Sequence, residues 1–391
     1  MTNRQQAMSS NLTPSKIAFF LPDLRVGGAE HMMAIIASAI ARRGYAVDLV
    51  LVKAEGGYLA TLDDKVNLID LNCASTYKCM PALIRYLRTH SPDILVSALD
   101  LTNMMALIAR KVAGHPGRLF IRLDNTQSAI KRSKAKKWLE KMLIRLLYPS
   151  ADGIIAVSNA VAVDFVSYIG KLKTRIHTIY NPIINQHILE KKTRLLDHPW
   201  FAPNQPPVIL GIGRLNEQKN FELLIKSFAS LHTKQPCRLL ILGEGPLRTN
   251  LESLVKRLDL VKDVAMPGVV DNPYHYLANA DLFVLSSNYE GLPTVLVEAL
   301  ACGCPVVSTD CPSGPREILD GGKYGPLVTV GDEYALASAM AEALSLKVQA
   351  TDQEWLKQYS EETVVKQYMA LFGLPDVHVT TNQPGMDHEN L

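Results

Sequence analysis

The sequence predicts an α/β protein made of two doubly wound parallel-sheet domains that face each other across a cleft. The chain has 391 residues, which is enough for about two domains of ordinary size. Short apolar runs alternate with amphipathic helical stretches, a pattern typical of parallel strands buried between layers of helices. The alternation stops once, in a segment with prolines at 203, 206 and 207, and then restarts.

The first half of the chain alternates strands and helices from residue 16 onward, so we predict an N-terminal domain at 16–186. Its predicted strands are Ile17–Leu21, Val47–Val52, Ile94–Leu99, Leu119–Leu123, Ile154–Val157 and Ile176–Tyr180. Its predicted helices are Met32–Arg43, Met80–Thr89, Met104–Val112, Ala135–Leu147 and Ala160–Ile169.

After a predicted linker at 187–207, the same alternation predicts a C-terminal domain at 208–352. Its predicted strands are Val208–Ile212, Arg238–Leu242, Val264–Met266, Leu282–Ser286, Val306–Ser308 and Leu327–Val328. Its predicted helices are Phe221–His232, Leu247–Leu258, Tyr274–Ala278, Thr294–Ala301 and Tyr334–Ala343. A last helical stretch, Gln353–Phe372, could cross back to the first domain. The polar ends at 1–15 and 373–391 are predicted to be disordered.

Composition excludes several functional classes. The net charge is only +3, which gives no indication of nucleic-acid binding. The six cysteines form no CxxC pair and have no histidine at zinc spacing, so Cys302 and Cys304 are interpreted as buried, reduced thiols. No apolar run reaches the roughly 18 residues of a spanning helix, and residues 1–15 lack the apolar core of a signal peptide. We therefore expect a cytoplasmic protein.

Two loops that follow predicted strands could bind phosphate. Gly27 and Gly28 begin a helix, where free N–H groups and the helix dipole favour an anion, although a plain tight turn would look the same. The loop that starts at Gly213 carries Arg214 and Lys219, and two cations five residues apart suit a diphosphate. A solvated charged loop is the alternative. Asn216 departs from the dinucleotide-binding fingerprint, and no Walker A sequence occurs.

A third loop carries paired carboxylates. Glu290 precedes a predicted helix, and Glu298 lies within that helix among apolar residues, where an unpartnered carboxylate is unusual. Gly291 and Pro293 suit the turn into the helix, so that the N–H groups near Thr294 point toward the cleft. Because carboxylates accept hydrogen bonds from neighbouring hydroxyls, one glutamate could hold a sugar and the other a ribose.

Together these segments resemble glycosyltransferase family 4, whose members are retaining enzymes with the GT-B fold of two Rossmann-like domains. The resemblance extends from Ile17 to about Phe372. It rests on these pieces in this order: GGAE at 27–30, YNP at 180–182, GRLNEQKN at 213–220, LGEGP at 242–246, PGVVDN at 267–272, EGLPTVLVEALACGCPVV at 290–307 and GPREIL at 314–319.

The resemblance implies that a nucleotide sugar binds in the cleft, mainly on the second domain. Arg214 and Lys219 would bind the diphosphate, Glu290 the hydroxyls of the donor sugar, and Glu298 the ribose. The base would lie near Val269 and Val270. The other residues that the resemblance places at the donor are Gly27, Gly28, Gly213, Gly243, Gly291, Leu292, Pro293 and Thr294.

The resemblance also implies front-face attack, in which the departing phosphate takes the proton of the acceptor. No Asp-x-Asp pair occurs in the chain, so we expect neither a metal ion nor another cofactor. Asp100 and His31 are candidates for a residue near the acceptor, and Asp124 and Asn125 are weaker ones. A helix N-cap is the alternative reading of Asp100.

The segment Lys131–Arg145 carries seven cations and one glutamate, and it predicts a basic amphipathic helix. At about 100° per residue, Lys134, Lys137, Lys141 and Arg145 share one face. The opposite face holds Trp138, Leu139, Met142, Leu143, Leu146 and Leu147. We predict contact with an anionic membrane surface and an acceptor on a polyprenyl diphosphate, with the protein on the inner membrane face. An ordinary helix that covers a sheet is the alternative.

The predicted activity is therefore transfer of a hexose or N-acetylhexosamine from a nucleotide sugar to a lipid-linked glycan acceptor, in the synthesis of a cell-surface polysaccharide or glycoconjugate. We choose UDP as the nucleotide. A nucleotide-sugar epimerase of the same fold and a non-catalytic nucleotide-sugar binder are the alternatives. Incubation of donor without acceptor distinguishes the epimerase, because only an epimerase would produce an epimer.

Overall fold

The computed structural model describes residues 15–25, 27–129, 133–170, 172–193, 196, 198–346 and 352–375. The predicted leader and tail fall outside this part of the chain, apart from residue 15 and residues 373–375. Our statements about their disorder therefore remain expectations.

Two sheets organise the chain, and the strands within each pair in parallel. The first has seven strands in the order β3-β2-β1-β4-β5-β6-β7, and the second has six in the order β10-β9-β8-β11-β12-β13. The strands of the first sheet are β1 (Lys16–Leu21), β2 (Ala46–Leu51), β3 (Val66–Asp70), β4 (Ile94–Ala98), β5 (Arg118–Leu123), β6 (Gly153–Ala156) and β7 (Ile176–Thr178). Those of the second are β8 (Val208–Ile212), β9 (Arg238–Leu242), β10 (Val264–Gly268), β11 (Leu282–Leu285), β12 (Val306–Thr309) and β13 (Leu327–Val328).

Helices connect the strands and cover the sheets. The helices that precede β8 are α1 (Gly28–Arg42), α2 (Met80–His90), α3 (Asp100–Ala113), α4 (Lys134–Leu147), α5 (Asn159–Ile169) and α6 (Gln186–Lys191). The others are α7 (Phe221–His232), α8 (Arg248–Arg257), α9 (Pro273–Asn279), α10 (Thr294–Cys302), α11 (Pro315–Ile318), α12 (Glu333–Ser345), α13 (Gln353–Leu356) and α14 (Glu361–Phe372). The sheets and their helices form the two-domain GT-B arrangement.

The strand order of each sheet fixes where a ligand can bind. In each sheet the order reverses direction beside the first strand, between β1 and β4 and between β8 and β11. A crevice opens at the carboxyl ends of the strands at such a point. The loops after β1, β4, β8 and β11 are therefore the ones that can build a site.

The last helix belongs to the core of the first domain. Val364, Tyr368 and Phe372 are buried in the cluster that contains α1 and β1, and the Phe372 ring lies 5.1 Å from that of Phe120. The predicted single helix over Gln353–Phe372 is wrong in one respect, because it is interrupted at Ser360, whose side chain caps α14.

Three other sequence predictions need correction. Strand β3 was missed, because it lies at the edge of its sheet and is mostly exposed rather than a continuous apolar run. The segment 187–207 was predicted as a linker, but α6 and a short 3-10 helix at Pro199–Phe201 occupy part of it. Cys302 is only partly buried, whereas Cys304 is buried, and both are free thiols.

Candidate functional site

The predicted donor loops meet through an ion pair. The loop after β8 carries Lys219 and the loop after β11 carries Glu290, and Lys219 Nζ lies 2.7 Å from Glu290 Oε1. Ser287 Oγ donates to the same carboxylate oxygen at 2.6 Å, and Gln218 Nε2 donates to the other oxygen at 3.4 Å. The Glu290 side chain is thus almost completely buried, and its carboxylate is held by residues of two neighbouring loops.

Backbone contacts explain why glycine follows β8 and β9. The Lys219 side chain passes over Gly213, where a Cβ atom would lie 3.1 Å from Lys219 Cε. At Gly243, φ is +138° and a Cβ atom would lie 2.0 Å from the carbonyl oxygen of Gly213. The two loops can therefore approach each other closely only with glycine at 243. Arg214 is exposed on the same loop.

Further hydrogen bonds connect the two loops, and they come from residues that the sequence analysis did not identify. Asn288 donates from its side chain to the Glu217 carbonyl at 2.6 Å and accepts from Asn220 at 3.0 Å. Ser286 Oγ donates to the Lys219 carbonyl at 2.8 Å. The run Ser286-Ser287-Asn288 directly after a buried strand was the available signal, since polar side chains there commonly bond to neighbouring loops.

The turn at Glu290 contacts the first domain. Thr126 Oγ1 donates to the Glu290 carbonyl at 2.6 Å, and Ser158 Oγ donates to the Gly291 carbonyl at 3.2 Å. A Cβ atom at Gly291 would lie 2.0 Å from the carbonyl oxygen of Asp124. The domains are thus closed on each other here, and glycine at 291 permits it.

Leu292 and Pro293 continue this turn, and Thr294 begins α10. Pro293 occupies the N-cap position and makes no side-chain cap bond. Leu292 and Pro293 are buried, whereas Thr294 is partly buried. Of the two valines predicted near the base, Val269 is 69% exposed and Val270 is partly buried.

Glu298 is partly buried within α10 and faces aromatic residues of both domains. Burial raises the pKa of Glu298 to about 7, and the charge of Lys219 opposes that shift. Burial, and after it the negative charge of Glu298, raises the pKa of Tyr274 in the second domain and of Tyr58 in the first. The carboxylate is therefore near the cleft, although its role toward a ribose stays a prediction.

The loop after β1, which contains Gly27 and Gly28, belongs to the first domain. No atom lies within 4 Å of a Cβ position built at Gly28, so this helix start faces open space. The Glu30 carboxylate lies against Gly27, where a Cβ atom would be 2.1 Å from Glu30 Oε2. An anion at a helix N-terminus is favourable, and Glu30 is such an anion when ionised.

His31 stacks on Tyr58, with ring centroids 4.2 Å apart and an interplanar angle of 6°. Burial, and to a smaller extent the charge of His187, lowers the pKa of His31 to about 4, so the ring is neutral near pH 7. His31, His187 and Tyr274 line a cavity of about 650 Å³ between α1 and α6. His31 therefore lines a cavity between the domains, and its role toward the acceptor stays a prediction.

The remaining acceptor candidates lie at the ends of β4 and β5. Asp100 is the first residue of α3 rather than its N-cap, which is Leu99 with φ of +74°, and it accepts from Gln127 Nε2 at 2.6 Å. The side chain of Asp124 is buried and pairs with the buried side chain of Arg122 at 2.9 Å. Burial raises the pKa of Asp124, and Arg122 opposes this. Asn125 lies next to Asp124 and is exposed.

Helix α4 presents part of its apolar side to solvent, whereas Ile144 is fully buried in the core and Leu143 and Leu147 are partly buried. The exposed fractions are 66% for Trp138, 47% for Leu139, 43% for Met142 and 71% for Leu146. The cationic face turns partly toward α5, since Lys141 Nζ lies 4.1 Å from the centre of the Tyr168 ring and Arg145 Nε donates to the Ile169 carbonyl at 2.8 Å. The alternative of an ordinary helix that covers a sheet accounts for the buried Ile144 but not for the four exposed apolar side chains.

Of the other predicted lysines on α4, Lys134 is exposed and Lys137 is partly buried. Within the described ranges, no group of three or more His, Cys, Asp or Glu is arranged to hold a metal ion. In that same part of the chain, no helix combines the length and apolar character needed to cross a membrane.

Comparison with known protein families gives two adjacent matches. The model of Glycosyltransferase Family 4 matches residues 26–186, and the model of Glycosyl transferases group 1 matches residues 194–363. The matches together cover the second sheet, the first sheet from β2 onward, and the predicted donor loops from Gly27 onward.

Two similar curated proteins come from Campylobacter jejuni. One is N-acetylgalactosamine-N,N'-diacetylbacillosaminyl-diphospho-undecaprenol 4-alpha-N-acetylgalactosaminyltransferase, 31% identical over 84% of this chain and 90% of that protein. The other is GalNAc-alpha-(1->4)-GalNAc-alpha-(1->3)-diNAcBac-PP-undecaprenol alpha-1,4-N-acetyl-D-galactosaminyltransferase, 28% identical over 84% of this chain and 89% of that protein.

Among solved structures, Anabaena HepE in complex with UDP and glucose is similar with a TM-score of 0.77 and 20% identity. The likeness covers 92% of this chain and 99% of that chain, and it shows the fold. With the family matches and the Campylobacter relatives, it establishes that the chain belongs to glycosyltransferase family 4 and is a glycosyltransferase of the GT-B fold.

Proposed function

We propose that the protein transfers a sugar from a UDP-sugar to a lipid-linked glycan, with retention of anomeric configuration and without a metal ion. The observation that carries the proposal is the Lys219–Glu290 pair, held at the meeting point of the two donor loops and closed over by the first domain. The Anabaena structure with UDP and glucose and the names of the Campylobacter relatives support the choice of nucleotide and acceptor.

The donor loops provide the groups that a sugar diphosphate needs. Arg214 is exposed and can present its guanidinium fork to phosphate oxygens. Lys219 is partly buried, so its charge acts in an environment that water screens weakly. Glu290 accepts hydrogen bonds, and donor hydroxyls would exchange for the Gln218 and Ser287 contacts that it makes here. Glu298 would accept from the ribose once it is ionised.

The chemical step places new charge on the diphosphate. As the bond between the sugar and the phosphate breaks, the leaving group gains about one negative charge, and fixed cations stabilise it more in the transition state than in the ground state. Arg214 and Lys219 are these fixed cations, so the proposal requires no metal ion. The departing phosphate oxygen takes the proton of the attacking hydroxyl on the same face of the sugar, which retains the anomeric configuration.

The donor proposal is tested with a panel of UDP-, GDP- and ADP-sugars. We expect UDP-sugars to raise the melting temperature most, because a ligand that binds only the folded state stabilises it. Nucleotide release is then measured with the best donor and a polyprenyl-diphosphate glycan, with and without EDTA. A requirement for added divalent metal would contradict the metal-free mechanism, and an inverted anomer in the product would contradict retention.

The exposed face of α4 supports contact with an anionic bilayer. Large exposed apolar clusters on soluble domains usually mark interaction surfaces, and lysines beside such a cluster match anionic headgroups. Trp138 and Leu146 would enter the boundary between headgroups and acyl chains, while Lys134 and Lys136 would remain at headgroup level. This orientation would bring a lipid-linked acceptor to the first domain.

Vesicle co-sedimentation tests the membrane proposal. The double variant W138A/L146A should lose binding to phosphatidylglycerol vesicles, and K134Q/K136Q should weaken it in a salt-dependent way. The matched control is Y334A, which removes an aromatic ring that is 81% exposed on the other domain. Unchanged binding of W138A/L146A, or equal loss with Y334A, would contradict an α4-specific surface.

A further inference from the structure

Two hydroxyls of the first domain bind two consecutive carbonyls of the second. Thr126 Oγ1 donates to the Glu290 carbonyl at 2.6 Å, and Ser158 Oγ donates to the Gly291 carbonyl at 3.2 Å. Thr126 follows β5 and Ser158 follows β6, so both lie at the carboxyl edge of the first sheet. Their exposed fractions are 2% and 0%, and water therefore competes little for either bond. We call these residues the hydroxyl pair.

Thr126 has the simpler surroundings of the two. The Gly291 carbonyl also accepts from Ser313 Oγ of its own domain at 2.7 Å. Ser158 additionally caps α5 by accepting from the Val161 N–H at 3.1 Å. Loss of Ser158 would thus also affect helix stability, whereas loss of the Thr126 hydroxyl mainly removes a bond across the cleft.

Contacts within the first domain fix the loop that carries Thr126. Asp124 is ion-paired with Arg122 at 2.9 Å, and Asn103 Nδ2 donates to the Arg122 carbonyl at 2.8 Å. The carbonyl oxygen of Asp124 also leaves no room for a side chain at 291. The loop can therefore act as a fixed support against which the Glu290 turn is placed.

From this geometry we propose that Thr126 and Ser158 are positioning residues for sugar transfer. By binding the carbonyls of residues 290 and 291, they fix the peptide from which the Glu290 carboxylate projects. Closure of the domains and placement of Glu290 then become one event. This inference rests on the proposed function, and it adds that turnover depends on the hydroxyl pair while nucleotide binding, which uses the second domain, does not.

The first test compares T126V with T126S and a matched control. Valine keeps the shape of threonine but removes the donor, so kcat should fall about 10- to 100-fold while the dissociation constant for UDP changes less than about threefold. Serine keeps the hydroxyl, and T126S should retain kcat within about threefold. The control T174V makes the same exchange where a threonine hydroxyl donates to the Tyr148 carbonyl within the first domain at 3.1 Å, and its kcat should not change.

The second test uses S158A, with D332A as a control that removes the helix cap of α12, away from the cavity lined by His31 and Tyr274. Both should lower the melting temperature, but only S158A should lower kcat. A wild-type kcat in T126V, or equal losses of kcat in S158A and D332A, would overturn the positioning role. If T126V fails to fold, S158A decides the question. If wild-type protein transfers no sugar from any donor in the panel, the proposed function fails instead, so the two failures are distinguishable.

Discussion

The pKa of Glu298 predicts how donor affinity depends on pH. Because burial raises this pKa to about 7, a substantial fraction of the carboxyl groups is protonated in the ligand-free protein at neutral pH. A ribose diol donates hydrogen bonds and requires an ionised acceptor to be bound well. The ionised fraction is about 90% at pH 8 and about 10% at pH 6 for such a pKa, so donor affinity should fall about tenfold, or about 1.4 kcal/mol, over this range.

Isothermal titration of an intact UDP-sugar without acceptor measures this effect. A UDP-sugar is preferable to UDP, because a terminal phosphate itself titrates near pH 6. At pH 7 binding should release about half a proton, which buffers of different ionisation enthalpy report directly. The variant E298Q cannot ionise at this position, and its affinity should be lower at pH 8 and nearly independent of pH.

The same pKa also predicts how the stability of the ligand-free protein depends on pH. A carboxyl whose pKa is higher in the folded state than its ordinary value of 4.5 binds protons more tightly when folded. Its contribution to stability is therefore complete below about pH 4.5 and is lost as pH rises through about 7, opposite to the trend in donor affinity. Constant wild-type affinity from pH 6 to pH 8, or the same slope in E298Q, would refute the assignment of Glu298 to the ribose.

Three further predictions concern the turn and its partners. E290Q should keep its fold but lower turnover at least about 100-fold, because a neutral amide accepts hydrogen bonds from sugar hydroxyls less strongly. Nucleotide release measures turnover, and thermal unfolding is the control for the fold. Wild-type turnover in E290Q would remove Glu290 from the site. K219M should lower kcat/KM about 100-fold or more through lost stabilisation of the leaving diphosphate, and a change in KM alone would show that Lys219 acts only in binding. G291A should lower kcat while UDP affinity persists, because its Cβ atom would lie 2.0 Å from the Asp124 carbonyl oxygen. In the control G57A the added Cβ atom meets no atom within 4 Å. Equal losses of kcat in G291A and G57A would argue against a contact across the cleft.

Strands in the middle of a sheet were the most predictable elements. The bounds of β8 and β9 agree with the sequence prediction, because strands covered on both faces are continuous apolar runs between turn residues. Strand β3 escaped detection because only Val66 of its five residues is buried. The start of α3 at Asp100 was also missed, since Leu99 adopts a left-handed φ that residue type does not reveal.

The meeting of Lys219 and Glu290 could be predicted from local sequence, whereas contacts between the domains could not. Lys219 and Glu290 each follow a strand of the same sheet, and loops at one sheet edge meet, as these two do. Thr126 and Ser158 gave no such signal, because a serine or threonine after a strand is equally typical of a helix cap. Ser158 is in fact such a cap, and only its tertiary position reveals the second bond to Gly291.

Helix α4 shows why amphipathic periodicity leaves the orientation of a helix open. Its pattern defines an apolar and a cationic face, but not which of them contacts the protein. Long cationic side chains can lie against a domain when aromatic faces and carbonyls receive their charged ends, as Tyr168 and the Ile169 carbonyl receive Lys141 and Arg145. The exposed part of the apolar face, which consists of Trp138, Leu139, Met142 and Leu146, then remains in contact with water, which the hydrophobic effect disfavours. Burial of that face in a bilayer would relieve this cost, so the orientation of α4 and the lipid-linked acceptor we propose support each other.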